Sequence, residues 1–326
     1  MSNDRPLVTV VMPALDAGAF IGEAARSILE QRGPALELWV VDDGSVDDTV
    51  EVVEGLGDPR VRLVRNERHL GLVETLNEAY ASVTTPYVAR MDSDDVSLPG
   101  RLAKQVRFLE EHSEVDVVGA WSDSFERVPD GVEGVGEERT RWTLRPPTTH
   151  AALCWQVLLG VPFAHPTMLA RREALLAMGP LDPSFRHAED FEFWCRATDR
   201  LTLANVPEVL LKGRIHPGQV SSRHSEEQHR NTARALRQLL ERRFALNVSQ
   251  EVAAAIADPL AVARLQDLLR ARRLLMSLVQ RAMRDTELNE SERVEVSRLI
   301  RFRARRLLKA AFHQGVQPFR FRGSGA

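Results

Sequence analysis

The chain has only two cysteines in 326 residues, Cys154 and Cys195. They offer neither a disulfide framework nor a zinc-ligand spacing, so a reducing compartment is the simpler setting. Long apolar runs are missing as well. The longest, around residues 151–164, is interrupted by Gln156, Gly160 and Pro162 and falls short of the ~20 residues that span a bilayer. Residues 7–15 are apolar but too short for a signal peptide, with no basic flank and no cleavage site. The expected location is cytoplasmic, free or peripheral at the inner face of the membrane. Neither G-x-G-x-x-G nor a Lys-Ser/Thr phosphate loop occurs, which argues against a dinucleotide dehydrogenase and a P-loop NTPase. A large net charge is also absent. The formal value is −3, so no nucleic-acid partner is expected.

What is present is ordinary globular composition, 44% hydrophobic and 27% charged. That suffices for a sizeable core and for one large α/β domain with an appendage, or two domains. The charge is uneven: residues 1–225 carry 23 Lys+Arg against 35 Asp+Glu, and residues 226–326 carry 20 against 11. Over the first 120 residues, short apolar segments (7–12, 36–41, 61–64, 87–91, 115–119) alternate with stretches of helical apolar spacing (18–31, 47–56, 72–82, 99–111). The alternation predicts a mainly parallel sheet covered on both faces, and such sheets bind ligands outside the carboxyl ends of their strands. Residues 122–149, polar and rich in Gly, Pro and Glu, read as loop. Beyond 150, helices are expected at 151–159 and 190–197 and strands at 167–170, 201–204 and 209–214. From 226 to about 314 the spacing is helical throughout. The expected division is an α/β domain at 1–225 and a basic helical region at 226–326.

Two acidic clusters fall where such a sheet places its site. Asp42 and Asp43 follow the second strand, and Asp92, Asp94 and Asp95 follow the fourth. In extended chain, residues i and i+2 point the same way, so Asp92 and Asp94 can offer two carboxylates to one cation. Hard oxygen ligands suit Mg²⁺ or Mn²⁺, and such an ion would stabilise a diphosphate leaving group. The plain alternative is that these are turns after strands, where Asp is common.

Six segments, in order, resemble the sequence blocks of family 2 glycosyltransferases: residues 8–13 (VTVVMP), 40–45 (VVDDGS), 66–77 (NERHLGLVETLN), 87–101 (YVARMDSDDVSLPGR), 187–196 (HAEDFEFWCR) and 214–221 (RIHPGQVS). The resemblance implies a GT-A fold, a Rossmann-like domain with a mainly parallel sheet, followed by the helical C-terminal region. It implies inverting transfer of a sugar from a nucleotide-diphosphate donor, UDP-linked, to a hydroxyl of a glycan, lipid-linked or other glycoconjugate acceptor. The implied setting is surface polysaccharide biosynthesis. Residue by residue, Pro13, Ala14 and Leu15 would line the base pocket and Asp43 would bond the base. Arg90 and Ser93 would lie with the nucleotide sugar, and Asp92 near ribose and metal. Asp94 would be the principal metal ligand, with His216 reaching the Mn²⁺ or Mg²⁺ from the far side. Asp190 would be the catalytic base, with Glu189 beside it. Acids there also suit a helix N-terminus. Asp16 stands where many relatives have Asn. Two rival readings are a nucleotidyltransferase, for which residues 13–19 lack a Lys or Arg to hold a triphosphate, and a non-catalytic sugar-nucleotide-binding module.

Residues 298–312 combine a helical apolar stripe (Leu299, Ile300, Ala304, Leu307, Leu308, Ala311) with a dense basic face (Arg298, Arg301, Arg303, Arg305, Arg306, Lys309), and Phe319 to Arg322 add to it. A basic amphipathic helix of this kind lies on anionic lipid. Alternatively it packs against protein, within the chain or in a homo-oligomer.

Overall fold

The computed structural model describes residues 5–128, 137–218, 225–260, 262 and 264–316. The chain forms two compact units. One comprises Met1–His150, Pro162–Pro183 and Arg200–Ser222, and the other Ala151–Val161, Ser184–Asp199 and Arg223–Ala326. Two short segments that precede residue 225 in sequence thus belong with the C-terminal helices.

Among the described residues of the first unit, nine strands form one sheet in the order β3-β2-β1-β4-β8-β6-β9-β5, with β7 on β6. The strands are β1 (Val8–Ala14), β2 (Leu36–Asp42), β3 (Val61–Arg65), β4 (Tyr87–Arg90), β5 (Val96–Ser97), β6 (Val117–Val128), β7 (Glu137–Leu144), β8 (Leu169–Arg171) and β9 (Leu203–Arg214). The neighbours β1, β2, β3 and β4 are parallel, as the alternating pattern predicts. Beyond β4 the sheet is mixed, because β8 runs antiparallel to both β4 and β6. Helices α1 (Gly18–Leu29), α2 (Thr49–Glu54), α3 (Leu72–Ser82), α4 (Arg101–Glu111) and α6 (Arg172–Met178) complete the unit. Val10, Met12, Leu38 and Val40 of the strands pack with Ile21, Ile28, Leu102 and Leu109 of the helices in one buried core. Each such side chain contributes about 1.5–3 kcal/mol on burial.

The loop expected at 122–149 is instead largely strand. β6 continues to Val128 and β7 returns as its antiparallel partner. Among the described residues β7 pairs with β6 alone and lies exposed, so no buried face writes an apolar alternation into its sequence. The two strands expected at 201–204 and 209–214 are one, β9. Its register against β6 shifts between Val206 and Val209, so Pro207 sits at an irregularity where its missing N–H does no harm.

The second unit is helical: α5 (His150–Gln156), α7 (Glu189–Ala197), α8 (Ser225–Phe244), α9 (Gln250–Ala257), α10 (Leu265–Ala282) and α11 (Glu290–Val316). Trp155, Trp194, Leu236, Leu275 and Leu278 are buried in it, and the Trp155 indole donates to Asp285 at 2.8 Å. The apolar stripe expected to face lipid is mostly interior. Ile300, Ala304, Leu307 and Ala311 are buried, and α11 packs along α10. Arg303, which in sequence reads as surface charge, donates to the carbonyls of Ile256 and Ala257 at the end of α9. Residues 319–322 lie outside the described residues. Among the described residues no helix is long and apolar enough to cross a membrane.

Candidate active site

The candidate site of the first unit grows from the carboxyl ends of β1, β2 and β4. β1 delivers Pro13 and Ala14, with Ala14 in register with Asp42 of β2; Leu15 follows, exposed. The loop after β1 is laced to the loop after β2. Asp43 N–H donates to the Ala14 carbonyl at 2.9 Å. Asp16 N–H donates to Ser45 Oγ at 2.9 Å, and Val46 N–H donates to Asp16 Oδ1 at 2.9 Å. Asp16 has φ 49°, a left-handed conformation that Asn and Asp tolerate best among residues with a side chain. An Asn would tolerate the same conformation. α1 begins under the same loop, its first N–H groups donating to Asp47 and Thr49. A Cβ at Gly18 would stand 1.8 Å from Asp48 Oδ1, so any larger residue there would push the Asp48 side chain aside.

Asp43 is buried and its carboxylate is fully engaged. Oδ1 accepts from Asn66 Nδ2 and Leu70 N–H, both at 2.8 Å. Oδ2 accepts from Gly71 N–H at 2.8 Å and lies 2.9 Å from His69 Nδ1. Burial alone would raise this carboxyl, but the hydrogen bonds from Asn66, Leu70 and Gly71 hold it below the ordinary carboxylate value. Asp43 therefore fastens the segment 66–71 against β2. Gly71, with φ 92°, supplies one of those donors and starts α3.

The second cluster follows β4. Oxygens of Asp92, Asp94 and Asp95 all lie within 4.8 Å of one another, and Ser93 sits between them, half-buried. Arg90, buried at the strand end, reaches Asp92 Oδ1 at 2.5 Å. His216 Nε2 lies 2.9 Å from Asp94 Oδ2, although 122 residues separate them in sequence. Arg214 carries that segment in: its N–H donates to Asp95 Oδ1, its Nε to the Asp94 carbonyl, and its Nη2 to Glu23 of α1. The His216 ring packs tilted against Phe20, with the ring centroids 4.6 Å apart. Desolvation raises the Asp92 carboxyl, with Asp94 adding to the rise and Arg90 opposing it. Desolvation together with Asp92 and Asp94 pushes Asp95 well above its ordinary value. A divalent cation would relieve this crowding, and three carboxylates with one imidazole are a donor set that fits Mn²⁺ or Mg²⁺.

Sequence reasoning missed the support of this loop. Arg101, at the start of α4, is completely buried. It donates to the Arg90 carbonyl at 2.8 Å and to Gln105 Oε1 at 3.1 Å. Burial lowers it to about 10, against the opposing pull of Asp95 and Asp92, so it stays a cation at neutral pH. Its one sequence signal is its place at the end of the acidic block, two residues after Pro99. Removing Arg101 takes a charged donor from the Arg90 carbonyl and Gln105 Oε1 and a nearby cation from Asp95 and Asp92, and each hydrogen bond from a charged group contributes about 1.5–3 kcal/mol. Arg101→Met is accordingly expected to lower stability by about 3–5 kcal/mol, measured by urea denaturation. A loss below about 1 kcal/mol, the scale of a surface ion pair, would contradict this role.

Glu189 and Asp190 belong to the second unit. The chain turns at His187, which has φ 63°, and α7 then opens with Glu189, Asp190 and Glu192 in its first turn. Glu189 is buried, and so is Glu192, which pairs with Arg196 at 2.6 Å. Asp190 is half-buried and borders a cavity of about 200 Å³ that Leu158, His187, Phe191, Gln228 and Thr232 also line. Of the two acids, only Asp190 lines that cavity.

The sequence profile described as glycosyl transferase family 2 matches residues 9–176. A Haemophilus influenzae protein named an uncharacterized glycosyltransferase is 31% identical over 239 residues, spanning 72% of this chain and 73% of that one. The amylovoran biosynthesis glycosyltransferase AmsE of Erwinia amylovora is 30% identical over 207 residues, 62% of this chain and 73% of its own. The crystal structure of S. aureus TarS 1–349 in complex with UDP-GlcNAc matches with a TM-score of 0.56 at 17% identity, over 97% of this chain and 93% of that one. At that identity the likeness speaks to the fold alone. The acidic cluster after β4 lies inside the matched segment, whereas Asp190 and His216 lie beyond it.

Proposed function

The chain belongs to glycosyl transferase family 2 and has the GT-A fold, and from that premise we propose a metal-dependent, inverting enzyme that takes its sugar from a UDP-linked donor. The observation that carries the proposal is the meeting of Asp94 with His216 at 2.9 Å inside the Asp92–Asp95 cluster. Asp92, Asp94 and His216 would hold Mn²⁺ or Mg²⁺. When bound, the ion would neutralise the diphosphate and ease its departure.

The remaining work falls to the chain's own residues. Pro13, Ala14 and Leu15 wall the base pocket. Asp43 keeps the segment 66–71 in place beneath it, and bonds the base by exchanging the His69 contact. Arg90 and Ser93 lie along the nucleotide sugar. Asp190 accepts the proton of the incoming hydroxyl from an acceptor lodged in the cavity it borders. Direct displacement of this kind inverts the anomeric centre through an oxocarbenium-like transition state. Glu189 stands beside Asp190 at the start of α7 as the second catalytic acid. Catalysis is carried by residues 1–225, and 226–326 complete the acceptor cavity through Gln228 and Thr232. AmsE is named for amylovoran biosynthesis, which supports a biosynthetic transferase; in this reading the acceptor is a glycan, lipid-linked or other glycoconjugate hydroxyl in surface polysaccharide assembly, on the cytoplasmic side of the membrane.

A thermal-shift panel of nucleotide sugars with and without Mn²⁺ tests the reading. Specific binding stabilises by about 2.7 kcal/mol at a hundredfold excess over Kd. One UDP-sugar is expected to raise Tm only when metal is present. A panel in which no nucleotide sugar moves Tm would contradict the proposal.

A further inference from the structure

The helix α11 has two apolar faces, and only one of them is used. At about 100° per residue, Ile300, Ala304, Leu307 and Ala311 form the buried arc. An outer arc, running from the edge of the buried one round to the far side of the helix, carries Leu308, Phe312 and Phe302 in that order, which are 36%, 67% and 61% exposed. Arg298, Arg301 and Arg305 lie between them, all exposed, and none takes part in a salt bridge among the described residues. From Val296 to Phe312 the helix contains no acidic residue. Its acids, Glu290, Glu292 and Glu295, are confined to the start.

We propose that this outer arc is a docking face for an anionic lipid surface, with Phe302, Leu308 and Phe312 entering the headgroup boundary and Arg298, Arg301 and Arg305 meeting lipid phosphates. The occupant follows from charge. A second copy brought in by two-fold symmetry would present the same surface and set arginine against arginine. A negatively charged membrane complements every cation on the arc, and exposed aromatics interleaved with arginine match what interfacial helices bury. The proposal differs from the sequence expectation in its apolar residues: Ile300, Ala304, Leu307 and Ala311 of the expected stripe are interior, and Phe302 and Phe312 join Leu308 on the side that the packing leaves out. It is independent of the transferase reading.

The test is vesicle sedimentation of the full chain. Vesicles of equimolar phosphatidylglycerol and phosphatidylcholine are expected to carry the protein down, and pure phosphatidylcholine vesicles are not. Binding is expected to be lost as salt rises from about 0.1 M to about 1 M, where the screening length shrinks from ~10 Å to ~3 Å. Arg301→Gln with Arg305→Gln is expected to weaken partitioning roughly thirtyfold. Phe302→Ser with Phe312→Ser is expected to weaken it on the order of tenfold or more. Both pairs are exposed, so circular dichroism should be unchanged. Equal sedimentation on the two vesicle types, or parental binding by either double variant, would overturn the proposal. So would a protein that ignores vesicles and shows by light scattering a stable oligomer that the Phe302→Ser/Phe312→Ser variant converts to monomer.

Discussion

Asp190→Asn is expected to bind donor almost as the parent does and to turn over roughly 10²–10⁴ times more slowly. The amide keeps the size of the carboxylate and fills the same position at the start of α7, so the cavity wall is preserved. What it loses is the capacity to accept a proton. An unassisted hydroxyl is a poor nucleophile at neutral pH, and a positioned base contributes the factor quoted. The companion change Glu189→Gln separates the two acids. Glu189 is buried and does not line the cavity, so that variant should keep most of the parental turnover at slightly lower stability. Single-turnover kinetics with saturating donor makes the comparison, because it isolates chemistry from product release. A near-parental rate for Asp190→Asn under those conditions would remove Asp190 from the role, and a collapse with Glu189→Gln would transfer it.

The parallel half of the sheet is legible in the amino-acid sequence. Strand segments such as 7–12 are continuous β-branched or apolar runs, because both faces are covered, and the helix at 72–82 shows its spacing without interruption. Legibility ends where burial ends. β7 is exposed and pairs only with β6, so its sequence EERTRWTL carries no core signal. The acidic block after β4 announces itself through three carboxylates in four residues. Its convergence with His216 does not, since a sequence separation of 122 leaves no local trace. Arg101 and Arg214 are hidden for a related reason. A buried arginine looks in sequence like any surface cation, and only the carbonyls and carboxylates gathered around it reveal the difference. On α11 the apolar spacing marks a stripe, but spacing alone does not say whether protein or lipid covers it.

The second large effect concerns the metal, and it bears on the central claim. Asp94 offers Oδ2 beside His216 Nε2 at 2.9 Å, and Asp92 and Asp95 stand within 4.8 Å. Without a cation, a diphosphate entering this cluster meets like charge. With Mn²⁺ bound, as proposed, the repulsion would become attraction, and the two ligands would bind as a coupled pair. Asp94→Ala removes a proposed ligand, and even outer-shell changes at metal sites cost about 10–100-fold in metal affinity. The variant also removes a negative charge from the cluster, so its binding of metal-free UDP should not fall. The decisive measurement is isothermal titration calorimetry of UDP into the parent protein and into Asp94→Ala, each with Mn²⁺ and with EDTA. A nucleotide-sugar site built on Asp92, Asp94 and His216 predicts that Mn²⁺ tightens UDP binding to the parent by at least tenfold, roughly the lower end of that range, and leaves the variant unchanged. Equal UDP affinity of the parent with Mn²⁺ and with EDTA would contradict it.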